Sequence, residues 1–251
     1  MGHAPGTFCW SDLAAPDLEG AGAFYRGLFG WESQAAGDPE ETQNYTFFLL
    51  DGKRVVGYGP PGPGEPPSWR VYFTVESADD AHAKVRDAGG ETLLEPMDVM
   101  DVGRMAVFRD PGGAVFCVWQ ARAHDGAQVI REPNSLGWTD CLTRDVDGAK
   151  RFYGAVFGWG ANDLPGGYSI WALGDADVGG LTGMDQMSPE TPPHWQIHFV
   201  VEDVDATAAR VPELGGQVMM PPTSMELPER GELRFSVFSD PNGAVFGVFA
   251  G

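Results

Sequence analysis

The two halves of this chain repeat one another, and the repeat limits the folds that the chain can adopt. Trp10-Ser11-Asp12 in the first half recurs as Trp138-Thr139-Asp140 in the second half. Further matches keep the same order, residues 23–31 with 151–159 and residues 110–116 with 240–246. The spacing between matches changes by only a few residues, so the halves are copies and each contains the same supersecondary units.

Each copy divides in turn into two modules that both start with a strand and a helix. Asp17 predicts the N-cap of a helix that ends at Gly30, and Gly89-Gly90 predicts the end of a second helix. Periodicity predicts strands at 8–13, 45–50, 54–58, 69–75, 91–94, 104–108 and 114–120, with the second helix at 78–88. The second copy repeats this pattern, so we predict an α+β chain of four βαβββ modules.

The stretch between the copies is polar, contains Pro133 and matches nothing else in the chain. Such a segment is typical of a linker. We therefore predict a first domain at 1–122, a linker at 123–134 and a second domain at 135–251.

Composition excludes several classes of partner. The chain has 36 acidic and 16 basic residues and a formal net charge of −20. Such a surface repels phosphate backbones and anionic lipids, so we expect neither nucleic acid nor a membrane as partner. No signal peptide or membrane span is visible, and Cys9, Cys117 and Cys141 show no CxxC spacing. These features predict a reduced, cytoplasmic protein without a zinc site or a disulfide framework.

The order of these motifs resembles the vicinal-oxygen-chelate superfamily, which includes glyoxalase I, extradiol dioxygenases and bleomycin-binding proteins. The resemblance rests on the helix ending Phe-Tyr…Phe-Gly-Trp and on the Asp-Pro-x-Gly hairpin, and it covers nearly the whole chain. The Trp-x-Asp-Leu opening at 10–13 is similar to that of two-domain actinobacterial members, some of which accompany antibiotic-biosynthesis clusters. The resemblance implies two glyoxalase/bleomycin-resistance-like domains packed as an intrachain pseudo-dimer, and hence a monomer.

The resemblance also indicates where metal ligands would stand. The family's metal enzymes use a His on the first strand, a His or Gln on the strand that opens the second module, and a Glu on the last strand. These positions fall here on two sets of residues: Trp10, Arg70 and Cys117, and Trp138, Gln196 and Gly247. A divalent metal needs several donors, and indole, guanidinium and glycine provide none. We therefore expect no metal and no cofactor.

The family arrangement implies two clefts in place of the metal sites. Alternating side chains put Trp10 and Asp12 on one face of their strand, and Trp138 and Asp140 on one face of theirs. In family dimers the first module of one domain faces the second module of its partner. The implied clefts are Trp10, Asp12, Gln196, His198 and Gly247, and Trp138, Asp140, Arg70, Tyr72 and Cys117.

The tryptophans and carboxylates of these clefts have two interpretations. Trp10 and Trp138 either fill the core or stack on a ligand. A buried carboxylate needs a partner, so Asp12 and Asp140 are paired or line a wet cavity. Both carboxylates are candidate acid–base groups.

The remaining polar groups also have a structural and a functional interpretation. Arg70 forms an ion pair with Asp140 or binds the anionic or carbonyl edge of a ligand. His198 is a core histidine or a general base. We expect Cys117 to behave as an inert apolar residue, whereas Gly247 predicts more room in its cleft.

These observations favour a metal-independent protein that binds a small planar metabolite or natural product in aromatic clefts and sequesters it, carries it or assists its modification. One alternative is an enzyme of the same superfamily, a lyase, isomerase or dioxygenase, either metal-free or with a misplaced metal site. The other alternative is a structural protein without a ligand.

Overall fold

The computed structural model describes residues 2–227 and 231–251, and within them the two repeats form matching sets of strands and helices. The first repeat contains β1 (Phe8–Ala14), α1 (Leu18–Phe29), β2 (Glu32–Ala35), α2 (Pro39–Thr42), β3 (Thr46–Leu50), β4 (Lys53–Gly59), β5 (Ser68–Thr74), α3 (Ala78–Asp87), β6 (Glu91–Val99), β7 (Gly103–Arg109) and β8 (Val115–Ala121). The second contains β9 (Leu136–Thr143), α4 (Val146–Phe157), β10 (Gly160–Asp163), β11 (Tyr168–Leu173), β12 (Ala176–Gly183), β13 (His194–Val200), α5 (Val204–Glu213), β14 (Gln217–Leu227), β15 (Gly231–Ser239) and β16 (Val245–Ala250).

The described strands of each repeat form one eight-stranded mixed sheet. The strand orders are β2-β3-β4-β1-β5-β8-β7-β6 and β10-β11-β12-β9-β13-β16-β15-β14. Strand β1 pairs with β4 in parallel, β5 pairs with β8 in parallel, and the second repeat has the equivalent pairs. Strands β2–β3, β3–β4, β6–β7 and β7–β8, with their equivalents in the second repeat, pair as antiparallel hairpins. The predicted α+β fold of repeated βαβββ modules is confirmed.

The first helix of each repeat begins and ends where the sequence predicts. Asp17 accepts a hydrogen bond from the Gly20 backbone at the start of α1, and Asp145 does the same for Gly148 at the start of α4. Gly30 and Gly158 then end these helices in the left-handed region, with φ of 71° and 75°. Glycine reaches this region without a Cβ penalty, which explains why both repeats have it there.

Three short elements were not among the predicted ones. Strands β2 and β10 are almost entirely exposed and lack the apolar alternation that marks a half-buried strand. Helix α2 is a single turn capped by Asp38. Its equivalent stretch in the second repeat is a turn before β11.

The contacts of the chain divide it into two compact units that cut across the repeats. Unit 1 consists of the segment ending at Trp10 together with Arg70–Gly126 and Trp138–Gln196. Unit 2 consists of Ser11–Trp69, Ala127–Gly137 and Ile197–Gly251. Each unit therefore combines one module from each repeat, whereas the predicted boundaries at 1–122 and 135–251 follow the duplication.

The core of unit 1 is aromatic and surrounds a buried carboxylate. The Trp195 indole donates a hydrogen bond of 2.8 Å to the Tyr153 hydroxyl, which donates in turn to Asp110 Oδ2 at 2.8 Å. The other oxygen of Asp110 accepts from the Ala114 backbone at 2.9 Å. Burial raises the pKa of Asp110 above its ordinary value, although these donors act in the opposite direction.

Unit 2 is organised around the equivalent three residues. The Trp69 indole donates to the Tyr25 hydroxyl at 3.0 Å, and Tyr25 donates to Asp240 Oδ2 at 3.2 Å. Burial again raises the pKa of this carboxyl. The aspartates that we predicted as turn residues thus also anchor a helix from the other repeat.

We expect replacement of Asp110 by Asn to change how stability depends on pH. The folded pKa of Asp110 is raised, so its contribution to stability is greatest below the unfolded pKa of about 3.9 and is lost as the pH rises through the folded pKa. The advantage of the parent over Asp110→Asn should therefore grow as the pH falls from 7 towards 4. Urea unfolding of both proteins across this range measures it, and a difference that is constant or shrinks in acid would contradict the assignment.

Candidate functional site

A hydrogen-bonded group of three side chains lies on β9 and β11 of unit 1. The Tyr168 hydroxyl donates to Asp140 Oδ1 at 2.7 Å. The Trp138 indole N–H lies 2.9 Å from the Tyr168 oxygen and 3.1 Å from Asp140 Oδ1, so it donates to both. All three side chains are partly exposed. We call Tyr168 and Asp140 the second-repeat pair.

A glycine on the neighbouring strand makes room for this pair. Gly180 on β12 lies opposite Asp140 in the parallel register. A Cβ at Gly180 would overlap both the Asp140 carboxylate and the Tyr168 hydroxyl. A larger residue would therefore push the phenol and the carboxylate away from their present positions.

The first repeat contains the same arrangement, which lies in unit 2. The Tyr45 hydroxyl donates to Asp12 Oδ2 at 3.2 Å, and Gly57 lies opposite Asp12 on β4. A Cβ at Gly57 would overlap the Tyr45 phenol. Asp12 differs from Asp140 in that only 4% of it is exposed. We call Tyr45 and Asp12 the first-repeat pair.

Sequence reasoning predicted the two carboxylates but missed both tyrosines. Tyr45 directly precedes the third strand of the first repeat and Tyr168 begins that of the second, and Gly57 and Gly180 stand on the next strand. The recurrence of this tyrosine and this glycine in both copies is the sequence signal that could have indicated the two tyrosines. The registers of short strands, which decide whether the phenol meets the carboxylate, cannot be read from composition.

Trp10 is covered by the segment that follows β8. In unit 1 the His124 ring stands edge-on to the Trp10 ring at a centroid distance of 4.6 Å, and the Trp119 ring lies 5.7 Å from His124. The Trp119 indole also donates to the His124 carbonyl at 2.8 Å. Trp10 is only 4% exposed, which fits the core-filling interpretation, whereas Trp138 is partly exposed.

The residues of the implied cleft Trp138, Asp140, Arg70, Tyr72 and Cys117 all belong to unit 1. Tyr72 and Cys117 are indeed register partners on β5 and β8. Their neighbour Phe73, on the opposite face of β5, packs against Phe157, Trp159 and Trp195 at centroid distances of 4.9–5.3 Å. On β9 the core-facing residue is Cys141, which lies near Tyr153 and Asp110. By strand alternation, Asp140 and Arg70 therefore both point away from this core.

The residues of the other implied cleft are divided between the units. Trp10 and Gln196 belong to unit 1, and Asp12, His198 and Gly247 belong to unit 2. Within unit 2, the His198 ring lies over Gly247, its register partner, and a Cβ there would overlap the imidazole. The extra room predicted at Gly247 is thus filled by His198, which corrects that expectation.

The cysteine side chains are buried. All three are free, and each has no exposed surface. Burial raises the pKa of Cys9 to about 12 and raises that of Cys141 well above its ordinary value. A thiolate is the reactive form of cysteine, so neither thiol is a nucleophile at neutral pH.

The donor chemistry at the family's metal positions does not fit a divalent metal. Each set contains only one residue that could ligate, Cys117 in the first and Gln196 in the second. Elsewhere in residues 2–227 and 231–251, no group of three or more His, Cys, Asp or Glu side chains is placed to hold a metal ion. In the same part of the chain, none of the helices has the length and apolar character needed to cross a membrane.

Comparison with known proteins agrees with the duplication. The sequence model of the Glyoxalase/Bleomycin resistance protein/Dioxygenase superfamily matches twice, at residues 7–118 and 135–248. The anthracycline biosynthesis protein DnrV of Streptomyces peucetius is 39% identical over 98% of this chain and 93% of its own length. The putative glyoxylase CFP32 of Mycobacterium tuberculosis is 38% identical over 98% of this chain and 95% of its own length.

Solved structures share the fold at low sequence identity. The Mn(II)-bound glyoxalase from Novosphingobium aromaticivorans superposes with a TM-score of 0.69 at 18% identity, covering 98% of this chain and 82% of its own. The 2,3-dioxygenase LapB from Pseudomonas sp. KL28 gives 0.66 at 15% identity, covering 98% and 92%. These similarities establish the fold.

We expect Gly180→Ala to disturb the second-repeat pair and to lower the free energy of unfolding by about 1–3 kcal/mol, because the new methyl group overlaps two polar side chains. Gly160→Ala is a matched control in the same unit, since its nearest Cβ neighbour would be 3.9 Å away. The control should stay within about 0.5 kcal/mol of the parent in urea unfolding. Equal effects of the two substitutions would show that the space above Gly180 is not restricted.

Proposed function

Because the chain belongs to the glyoxalase/bleomycin resistance protein/dioxygenase superfamily, we propose that it binds a small planar aromatic metabolite without a metal, and that the ligand lies against Trp138 beside the second-repeat pair. One observation carries this proposal. The Trp138 indole is partly exposed, and its N–H is held by Tyr168 and Asp140. An aromatic surface fixed in this way binds a flat ligand with little loss of side-chain freedom.

The polar groups beside Trp138 define the edge of the ligand that fits. A phenol and a carboxylate lie within 2.7 Å of each other, so the site offers a strong acceptor together with a hydroxyl group. A ligand with a phenolic hydroxyl or an enolisable carbonyl is complementary to them. An anionic edge is not, because Asp140 and the net charge of −20 repel it.

The relatives agree with a planar ligand of this kind. DnrV is named for anthracycline biosynthesis, and it matches this chain over nearly its whole length. We extend to this chain only the class of ligand, a polycyclic phenol or quinone. Binding would let the protein sequester such a compound, carry it or assist its modification by another enzyme.

Equilibrium dialysis with 1,8-dihydroxyanthraquinone as the probe tests this proposal. We expect Trp138→Phe to weaken binding about three- to ten-fold, since an aromatic contact is worth about 0.5–1.5 kcal/mol beyond its buried area. Trp10→Phe is the matched variant at the covered position of the first repeat and should bind like the parent. Equal weakening in both variants, or no binding by the parent, would contradict the proposal.

We expect probe binding to survive removal of metals. After dialysis against EDTA, the affinity for 1,8-dihydroxyanthraquinone should be unchanged, and mass spectrometry should find far less than one equivalent of Zn, Mn, Ni or Fe. The alternative to a metal-independent binding protein is a metal-dependent enzyme of the same superfamily. Stoichiometric metal that survives dialysis and is lost from a Cys117→Ser or Gln196→Ala variant would establish that class instead.

A further inference from the structure

We propose that the second-repeat pair transfers protons and catalyses the keto–enol interconversion of an arene-fused ketone bound against Trp138. The inference rests on the proposed binding site and adds an activity to it. Its basis is the juxtaposition of a phenol, a carboxylate and an indole N–H at one partly exposed place on unit 1.

The hydrogen bonds give the pair a direction for proton transfer. The Tyr168 hydroxyl donates to Asp140 Oδ1 at 2.7 Å, so the phenolic proton lies on the line between the two oxygens. The Trp138 N–H donates to the Tyr168 oxygen at 2.9 Å and favours negative charge there. In this arrangement the phenol oxygen accepts a proton from the ligand while the phenolic proton passes to the carboxylate.

The reaction requires no oxidant and no metal. The proton on the carbon next to the ligand carbonyl moves to the Tyr168 oxygen, while the Tyr168 proton moves to Asp140 Oδ1. The electron pair of the broken C–H bond becomes the carbon–carbon double bond, and the carbonyl oxygen takes the negative charge. Return of a proton from Asp140 through Tyr168 to that oxygen gives the enol and restores both side chains.

Several features indicate that the second-repeat pair is positioned for this activity. Gly180 leaves the space that the phenol and carboxylate occupy, and the two oxygens are 2.7 Å apart. In the first-repeat pair the corresponding distance is 3.2 Å, and Asp12 is only 4% exposed. Trp138 is partly exposed next to its pair, whereas Trp10 is covered by His124. The carboxylate of the second-repeat pair is therefore more accessible to a ligand than that of the first-repeat pair.

The test uses 2-tetralone, an arene-fused ketone whose exchangeable C1 protons lie between the ring and the carbonyl, in D₂O with the full-length, EDTA-treated protein. Proton NMR follows the replacement of the C1 protons by deuterium. We expect the parent to accelerate exchange above the buffer rate, and Tyr168→Phe and Asp140→Asn each to reduce the protein-catalysed rate at least about 100-fold. Tyr58→Phe removes a hydroxyl that donates to Ser33 in unit 2, and it should exchange at the parent rate.

A second measurement separates chemistry from folding or binding. Equilibrium dialysis should show that both variants still bind 2-tetralone, at most about ten-fold more weakly than the parent, so that the rate of the bound ketone falls further than the affinity. No acceleration by the parent would overturn the proposal, as would variants that exchange as fast as the parent or lose binding along with the rate. Loss in only one variant would overturn the assignment of the two residues as a pair. Retained binding of 1,8-dihydroxyanthraquinone would then leave the binding function standing without the proton transfer.

Discussion

A hydrogen bond from a buried tyrosine to a buried aspartate holds each unit of this protein together. In unit 1 Tyr153 comes from the second repeat and Asp110 from the first, and in unit 2 Tyr25 and Asp240 reverse these origins. A buried carboxylate is costly unless donors surround it, so the aspartate turn and the tyrosine helix must be placed together. Each aspartate also binds backbone amides of its own turn, which ties the end of a β-hairpin to a helix of the other repeat.

This core uses one face of the central strands and leaves the other face for polar side chains. In unit 1, Phe73 and Cys141 point into the aromatic core, so their chain neighbours Tyr72 and Asp140 must point away from it. The large aromatic core therefore determines which residues can form a site. On that other face, Tyr168 and Trp138 both donate to the Asp140 carboxylate.

The sequence was sufficient for the features that depend on local chemistry or on repetition. The duplication, the α+β class, the capped helices and the central strands follow from motifs whose residues act on their immediate neighbours. The features that it did not reveal depend on register. The contact of Tyr168 with Asp140 requires β11, β12 and β9 to align, and the position of His198 over Gly247 requires β13 and β16 to align. Asp110 was predicted as a turn residue, but nothing near it in sequence indicates its partner Tyr153.

The two tyrosine–aspartate pairs show how duplication can preserve a local arrangement while its surroundings diverge. Both repeats keep the tyrosine, the aspartate and the glycine that makes room for them, so each pair is compatible with the fold. What differs is the aromatic side chain nearby, because His124 stands against Trp10 while Trp138 donates to its own pair. The segment after β8, which contains His124, thus makes Trp10 part of the packing. Trp138, at the equivalent position on β9, stays partly exposed, and a ligand can therefore lie against it.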